Sequence, residues 1–192
     1  MNDFSLYFSL GWQHIISWGA ADHILFIIAL SAIYLIQNWK QVLILVTAFT
    51  IGHSLTLALS VYDILRINSN WVEFLIPLTI VATAIFNFFQ KNFTASSLKM
   101  NYFLALFFGL IHGLGFANSI RFMLTKNEHI GLPLFAFNIG LEAGQIVIVF
   151  LVLSCSFILV NKLKLQRKWW VCILSAAAFS VASCMAIKRW PL

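Results

Sequence analysis

The sequence predicts an all-α, polytopic membrane helix bundle: six transmembrane helices preceded by an N-terminal interfacial or re-entrant helix. Three observations predict it. Hydrophobic residues make up 61% of the chain and charged ones 9%, and the mean hydropathy is +0.93, whereas a soluble domain is roughly half apolar and about a quarter charged. Apolar runs of the length a bilayer core requires, about 20 residues, recur along the whole chain. The breaks between them are short and polar: "QNWK", "YDILRINSN", "QKNFTASSLK", "LTKNEHIG" and "NKLKLQRK".

These runs place helices near 20–37, 41–61, 71–90, 101–121, 132–160 and 169–187. Residues 4–18 are apolar but too short before Gly19 to span, so they read as the interfacial or re-entrant lead-in. The start "MNDFSLYFSLGWQ" has no basic segment and no small-residue cleavage site, so the first helix is expected to direct insertion. The 192 residues form one integral membrane domain, with no room left for a soluble one.

The net charge of +6 comes from basic residues scattered through short loops, a pattern for anionic lipid headgroups rather than nucleic acid. Lys40, Lys91, Lys99, Lys162, Lys164, Arg167 and Lys168 fall in loops 1, 3 and 5, against Arg66, Arg121, Lys126, Lys188 and Arg189 on the other side. That bias places loops 1, 3 and 5 in the cytoplasm and both termini outside. Cys155, Cys172 and Cys184 lie in apolar runs at wide spacings and read as small hydrophobes rather than a disulfide framework. No P-loop is present, which argues against an ATP-driven pump.

Helix direction then sorts the polar residues. His53 and His112 lie near the ends of the second and fourth spans, Asp22 and His23 open the first, Glu73 opens the third, and Asn138, Glu142 and Gln145 occupy the first half of the fifth. With His14 in the lead-in, all of them reach the half of the bilayer on the side of the N-terminus. Asn138, Glu142 and Gln145 stand at i, i+4 and i+7, one helical stripe. Thr50, His53 and Ser54 share another, extended by Thr56 and Ser60. Pro77, four residues after Glu73, is expected to kink its helix and free a carbonyl.

Each position also has an ordinary structural reading. An intramembrane histidine, Asn138 or Gln145 can serve as an interhelical hydrogen-bonder, and the hydroxyls can bond the preceding turn. Gly140 and Gly144 form a small-xxx-small pair, and Asp22 and Glu73 suit a helix N-terminus. His129, beside Glu128 in a loop, reads as solvated. Glu142 is harder to explain that way, since a mid-span carboxylate costs about 2.5–3.5 kcal/mol on insertion scales. Imidazoles together with carboxylates form a ligand set suited to nickel, cobalt, zinc or iron rather than Cu(I), and Asp22 can orient an imidazole from outside the ligand set.

The segments "HIISWGAADHILF", "FTIGHSLTLALS", "GLIHGLGFA" and "FNIGLEAGQ", in that order, resemble the HupE/UreJ family of small multi-span membrane proteins. The resemblance runs from Gly11 to Gln145 and then a final span. It implies a bacterial inner-membrane metal permease, chiefly for nickel or cobalt supplied to hydrogenase and urease. By position, the family's His and Asp-His pattern falls on His14, Asp22 and His23, its second-helix histidine on His53, its His-Gly on His112 and Gly113, and its later glutamate on Glu142. "ADHI" also resembles a signature of the separate nickel/cobalt transporter family. Seven residues separate His14 from Asp22 where the family has five, and "HGLGFAN" stands for the usual His-Gly-x-x-His-Gly-x-Glu, so this is a divergent branch.

The leading expectation is transport of a divalent transition-metal ion, nickel or cobalt by resemblance. His23, His53 and His112 ligate, Glu142 is a charged ligand or proton acceptor, and Asp22 and His14 stand at the entrance. Glu73, Asn138, Gln145 and Ser54 are in support. The alternative is an intramembrane zinc-dependent hydrolase on the same cluster with Glu142 as general base. Haem held between His53 and His112 is a third reading, disfavoured by the number of carboxylates. The expected partners are the metal ion and the lipid bilayer, with no nucleic acid; the sequence names no protein partner and leaves a homo-oligomer open.

Overall fold

The computed structural model describes residues 3–90, 95–124 and 130–191, and their regular structure is entirely helical. Lys91, Lys126 and His129 lie outside the described residues. The helices are α1 (Asp3–Ile16), α2 (Ala21–Ser31), α3 (Trp39–Val61), α4 (Ser69–Phe89), α5 (Ala95–Leu124), α6 (Gly131–Ser156) and α7 (Arg167–Lys188). Short 3-10 turns, Trp18–Ala20 and Ile36–Asn38, join α1 to α2 and α2 to α3, and a π-helical turn, Phe157–Lys162, ends α6.

Four stretches among the described residues are long and apolar enough to cross a membrane: Ile36–Val61, Ser69–Phe89, Gly131–Lys162 and Arg167–Lys188. α1 and α2, bent by 68° at their junction, pass as a fifth only when taken together. A chain with four such helices is a membrane protein. Its outer surface agrees: Ile44, Ile51, Leu55, Phe150, Leu151 and Ile173 stand exposed along three helices, where water would make them an association hazard and acyl chains cover them. Exposed tryptophans mark both ends of the bundle. Trp39 and Trp169 sit at one end, and Trp71 and Trp190 at the other, the placement of interfacial aromatic belts.

Two boundaries depart from the sequence expectation. The helix expected over 20–37 stops at Ser31, leaving α2 with 11 residues, about 16 Å. No glycine or proline stops it; tertiary partners do. Tyr34 is buried with its hydroxyl accepting from Asn101 Nδ2 at 2.9 Å, and Arg167 Nη2 donates to the Ile33 carbonyl. The second contact satisfies a carbonyl that a longer helix would bond internally, and the first anchors the chain just past the helix end. α5 starts at Ala95 rather than near 101. Ala95, Leu98 and Lys99 are good helix formers, so the polar stretch marks the membrane boundary and not the end of the helix.

The principal helix pairs are α3 with α5, α1 with α6 and α4 with α7. Glycines set the first two. A side chain at Gly52 would collide with the Leu106 carbonyl on α5, and one at Gly109 with the Phe49 carbonyl on α3. Gly11 on α1 and Gly140 on α6 face the Phe137 and Phe8 carbonyls in the same way. Small residues let these backbones touch, which is how helices associate where lipid removes any hydrophobic advantage. α3 and α6 run antiparallel and share two polar contacts, Thr47 Oγ1 donating to Glu142 Oε1 at 2.6 Å and Thr50 Oγ1 to Gln145 Oε1 at 2.9 Å. Asn68 caps α4 by accepting from the Asn70 amide at 2.9 Å.

Candidate metal centre

His53 and His112 are fully buried, each held where α3 and α5 touch. His53 follows Gly52. His112 follows Gly109 by one turn, and a side chain at Gly113 would strike the His53 carbonyl. His14, in the last turn of α1, lies one turn after Gly11, whose contact with α6 brings that end of α1 into the core. His23 enters from the first turn of α2. The ring centroids lie 4.6 Å apart for His14 and His23, 5.9 Å for His14 and His53, 6.2 Å for His23 and His53, and 4.9 Å for His23 and His112.

His14, His23 and His53 each offer a nitrogen within 4.8 Å of the other two. Nitrogens bound to one tetrahedral ion at the usual 2.0–2.1 Å stand about 3.4 Å apart, so small ring movements would close the trio on a cation. Within this core, His14 Nε2, His23 Nε2, both nitrogens of His53 and His112 Nδ1 find no hydrogen-bond partner among the described residues. A buried polar atom without a partner costs about 1–3 kcal/mol, and nitrogen lone pairs gathered from α1, α2, α3 and α5 are donors that a cation could use.

The neighbours fix which nitrogens are free. Asp22 Oδ1 stands 2.9 Å from His23 Nδ1; a carboxylate accepts, so Nδ1 carries the proton and Nε2 keeps the lone pair. This is the carboxylate–histidine arrangement that orients metal ligands. Thr79 Oγ1 donates to the Ile76 carbonyl at 2.7 Å and lies 3.0 Å from His112 Nε2. The hydroxyl therefore accepts from Nε2–H, which leaves the lone pair on Nδ1. Asp22 Oδ2 in turn accepts from Arg189 Nη1 at 3.1 Å. Arg189 Nη1 also lies 3.5 Å from the Glu73 carbonyl, the group that Pro77 cannot bond because it lacks an N–H.

A cavity of about 350 Å³ adjoins the cluster, lined among others by His14, His23, His112, Asp22, Glu73 and Arg189. Phe137 stacks near His53 at 6.3 Å and on Phe116 at 5.2 Å, and Phe116 also lines the cavity. Neutral imidazoles with one face towards a polar cavity suit zinc, nickel, cobalt or iron.

The other residues singled out in the sequence lie as follows. His112 sits beside the trio, bound to Thr79, and His14 completes the trio instead. Glu73 is exposed on the cavity rim. Glu142 and Gln145 contact Thr47 and Thr50 along the α3–α6 seam and are not part of the histidine group. Asn138 is half-buried with Oδ1 unpartnered, and Ser54 donates to the Thr50 carbonyl at 2.6 Å. The structure adds Arg189 and Thr79 to the site. In sequence, Arg189 registers only as a loop charge; Thr79 does begin a period-four polar series with Thr83 and Asn87.

Two outcomes follow for the supporting groups. Asp22→Asn keeps the shape but weakens the hold on the His23 tautomer, so metal affinity in a titration of purified protein should fall about 10–100-fold. Arg189→Gln removes a partner from a carboxylate that is 10% exposed. It should lower unfolding stability by about 1.5–3 kcal/mol, the usual worth of a hydrogen bond to a charged group. A thermal melt unchanged from wild type would show the pair to be idle.

Searches of curated proteins and of solved structures return no match. The family model described as "HupE / UreJ protein" matches residues 1–189. With a match over essentially its whole length and a histidine cluster in its core, the chain belongs to the HupE / UreJ protein family.

Proposed function

We propose that the protein is a permease for a divalent transition-metal ion, with nickel or cobalt as its cargo, loaded through His14, His23 and His53. The observation that carries this reading is the convergence of partnerless imidazole nitrogens from α1, α2 and α3 beside a polar cavity. The choice of metals follows the family, which is associated with nickel and cobalt transport. Asp22 orients His23, and His112 lies beside the trio with its ring 4.9 Å from that of His23. The bent α1–α2 pair, α3, α4, α5, α6 and α7 make six passages, with both termini outside the cytoplasm.

A hydrolase on the same histidines would need a base within hydrogen-bond reach of the metal's water. Glu142 bonds Thr47, and Asp22 is shared between His23 and Arg189, so neither carboxylate favours that chemistry over transport.

The test is uptake of nickel or cobalt into proteoliposomes by wild type, His53→Ala and Asp22→Asn. Uptake should be near background for the first variant and reduced for the second; equal rates for all three contradict the proposal. Ligation needs neutral imidazole, so protons compete with the metal. Binding should therefore weaken once the pH is low enough to protonate the imidazoles.

A further inference from the structure

A permease must release its cargo on the far side, and the histidine cavity ends at a barrier. Phe26 and Phe49, both buried, have ring centroids 5.2 and 5.1 Å from that of His112 and 4.9 Å from each other. Phe108 lies 6.0 Å from Phe26. Beyond them polarity resumes along one face of α4, where Thr79, Thr83 and Asn87 are all buried and spaced four apart. Thr79 touches the site itself through His112.

Two further cavities lie on this face. One, of about 230 Å³, is lined by Thr83, Asn87, Asn101 and Phe108 among others. The second, of about 500 Å³, is lined by Asn87, Gln90, Arg167 and Lys168 among others, at the end of the bundle opposite the histidines. Asn87 borders both, and Phe108 borders the first while belonging to the aromatic barrier.

We infer that the metal ion leaves the histidine site along the Thr79–Thr83–Asn87 face of α4, through the two lower cavities, and that Phe26, Phe49 and Phe108 form the closed gate between site and exit. The inference rests on the permease reading and names its route. Its chemistry is graded. Imidazole nitrogens bind a transition metal well, while a few hydroxyl and amide oxygens hold it weakly, and passage requires sites weak enough to leave. Apolar rings bar a hydrated ion until they part. Arg167 and Lys168 keep the last cavity a poor resting place for a cation. The alternative seam, past Glu142 between α3 and α6, borders none of these three cavities.

Cobalt(II) is the probe. In proteoliposomes, Thr83→Val and Asn87→Leu should each slow uptake about tenfold, the cost of one lost polar contact at the barrier. Cobalt binding by the purified variants, read from its visible spectrum, should stay as in wild type, which also shows that they fold. Independently, with Cys155, Cys172 and Cys184 replaced by alanine, Thr83→Cys and Asn87→Cys should react with a membrane-impermeant thiol reagent added from the side of Lys168. Ile85→Cys, on the exposed lipid face of the same helix, should not. Wild-type uptake by both route variants, or cysteines at 83 and 87 as inert as the one at 85, overturns the route; the latter marks a lipid-filled cleft. If wild type binds cobalt but carries none, the permease reading itself fails and the route with it.

Discussion

Replacing His53 with leucine is expected to abolish tight metal binding while making the metal-free protein harder to unfold. Neither nitrogen of His53 has a partner among the described residues, and its side chain is fully buried. Each such atom costs about 1–3 kcal/mol relative to an apolar group of similar shape. An unfolded chain in lipid also finds polar partners, so the net gain should be about 1–3 kcal/mol. On the binding side, outer groups that merely orient a ligand are worth 10–100-fold in affinity, so losing a ligand should cost more than about 100-fold. The two readouts are a metal titration and a thermal melt in detergent without metal. The opposed signs make the prediction specific. A histidine kept for packing alone would lose stability on substitution and leave metal binding as it was.

The second large effect is expected at Gly52. A valine there would drive its side chain into the Leu106 carbonyl and the Leu110 amide of α5. These are backbone atoms, which cannot swing aside as a long side chain does. Overpacking a core typically costs about 1–3 kcal/mol, and a clash against backbone should reach at least the top of that range. The change also separates α3 from α5 next to His53 and opposite His112, so metal binding should be lost even in the fraction that folds. Gly131 is the internal control. A methyl group there meets nothing within 4 Å, so Gly131→Ala should stay within about 0.5 kcal/mol of wild type. Similar melts for both variants would mean that the α3–α5 contact is looser than described here.

These two residues show what the sequence reveals and what it withholds. Apolar runs of membrane length located α3, α4, α6 and α7 to within a few residues, because lipid demands continuous hydrophobicity and backbone satisfaction within each segment. The early end of α2 was not legible. It depends on Tyr34 meeting Asn101 and on Arg167 meeting Ile33, contacts spanning 67 and 134 residues. Span direction placed His14, His23, His53 and His112 in one half of the membrane, and adjacency suggested that Asp22 orients an imidazole. Rotation about each helix axis decides the rest. It puts Glu142 on the α3–α6 seam beside Thr47 rather than in the histidine group. It also sets Thr79 against His112 and closes Arg189 onto Asp22 from 167 residues away. No local pattern encodes such meetings. The nearest signal was the four-residue rhythm of Thr79, Thr83 and Asn87, visible in the sequence as a polar stripe on an apolar helix.

His14, His23 and His53 are expected to bind one cation together. X-ray absorption on protein loaded with one equivalent of zinc tests it most directly, since imidazole sites accept zinc as they do nickel. The first shell should hold three imidazole nitrogens at about 2.0–2.1 Å, reduced to two in His14→Ala. A shell made only of oxygens, or one unchanged when His14 is removed, would contradict it.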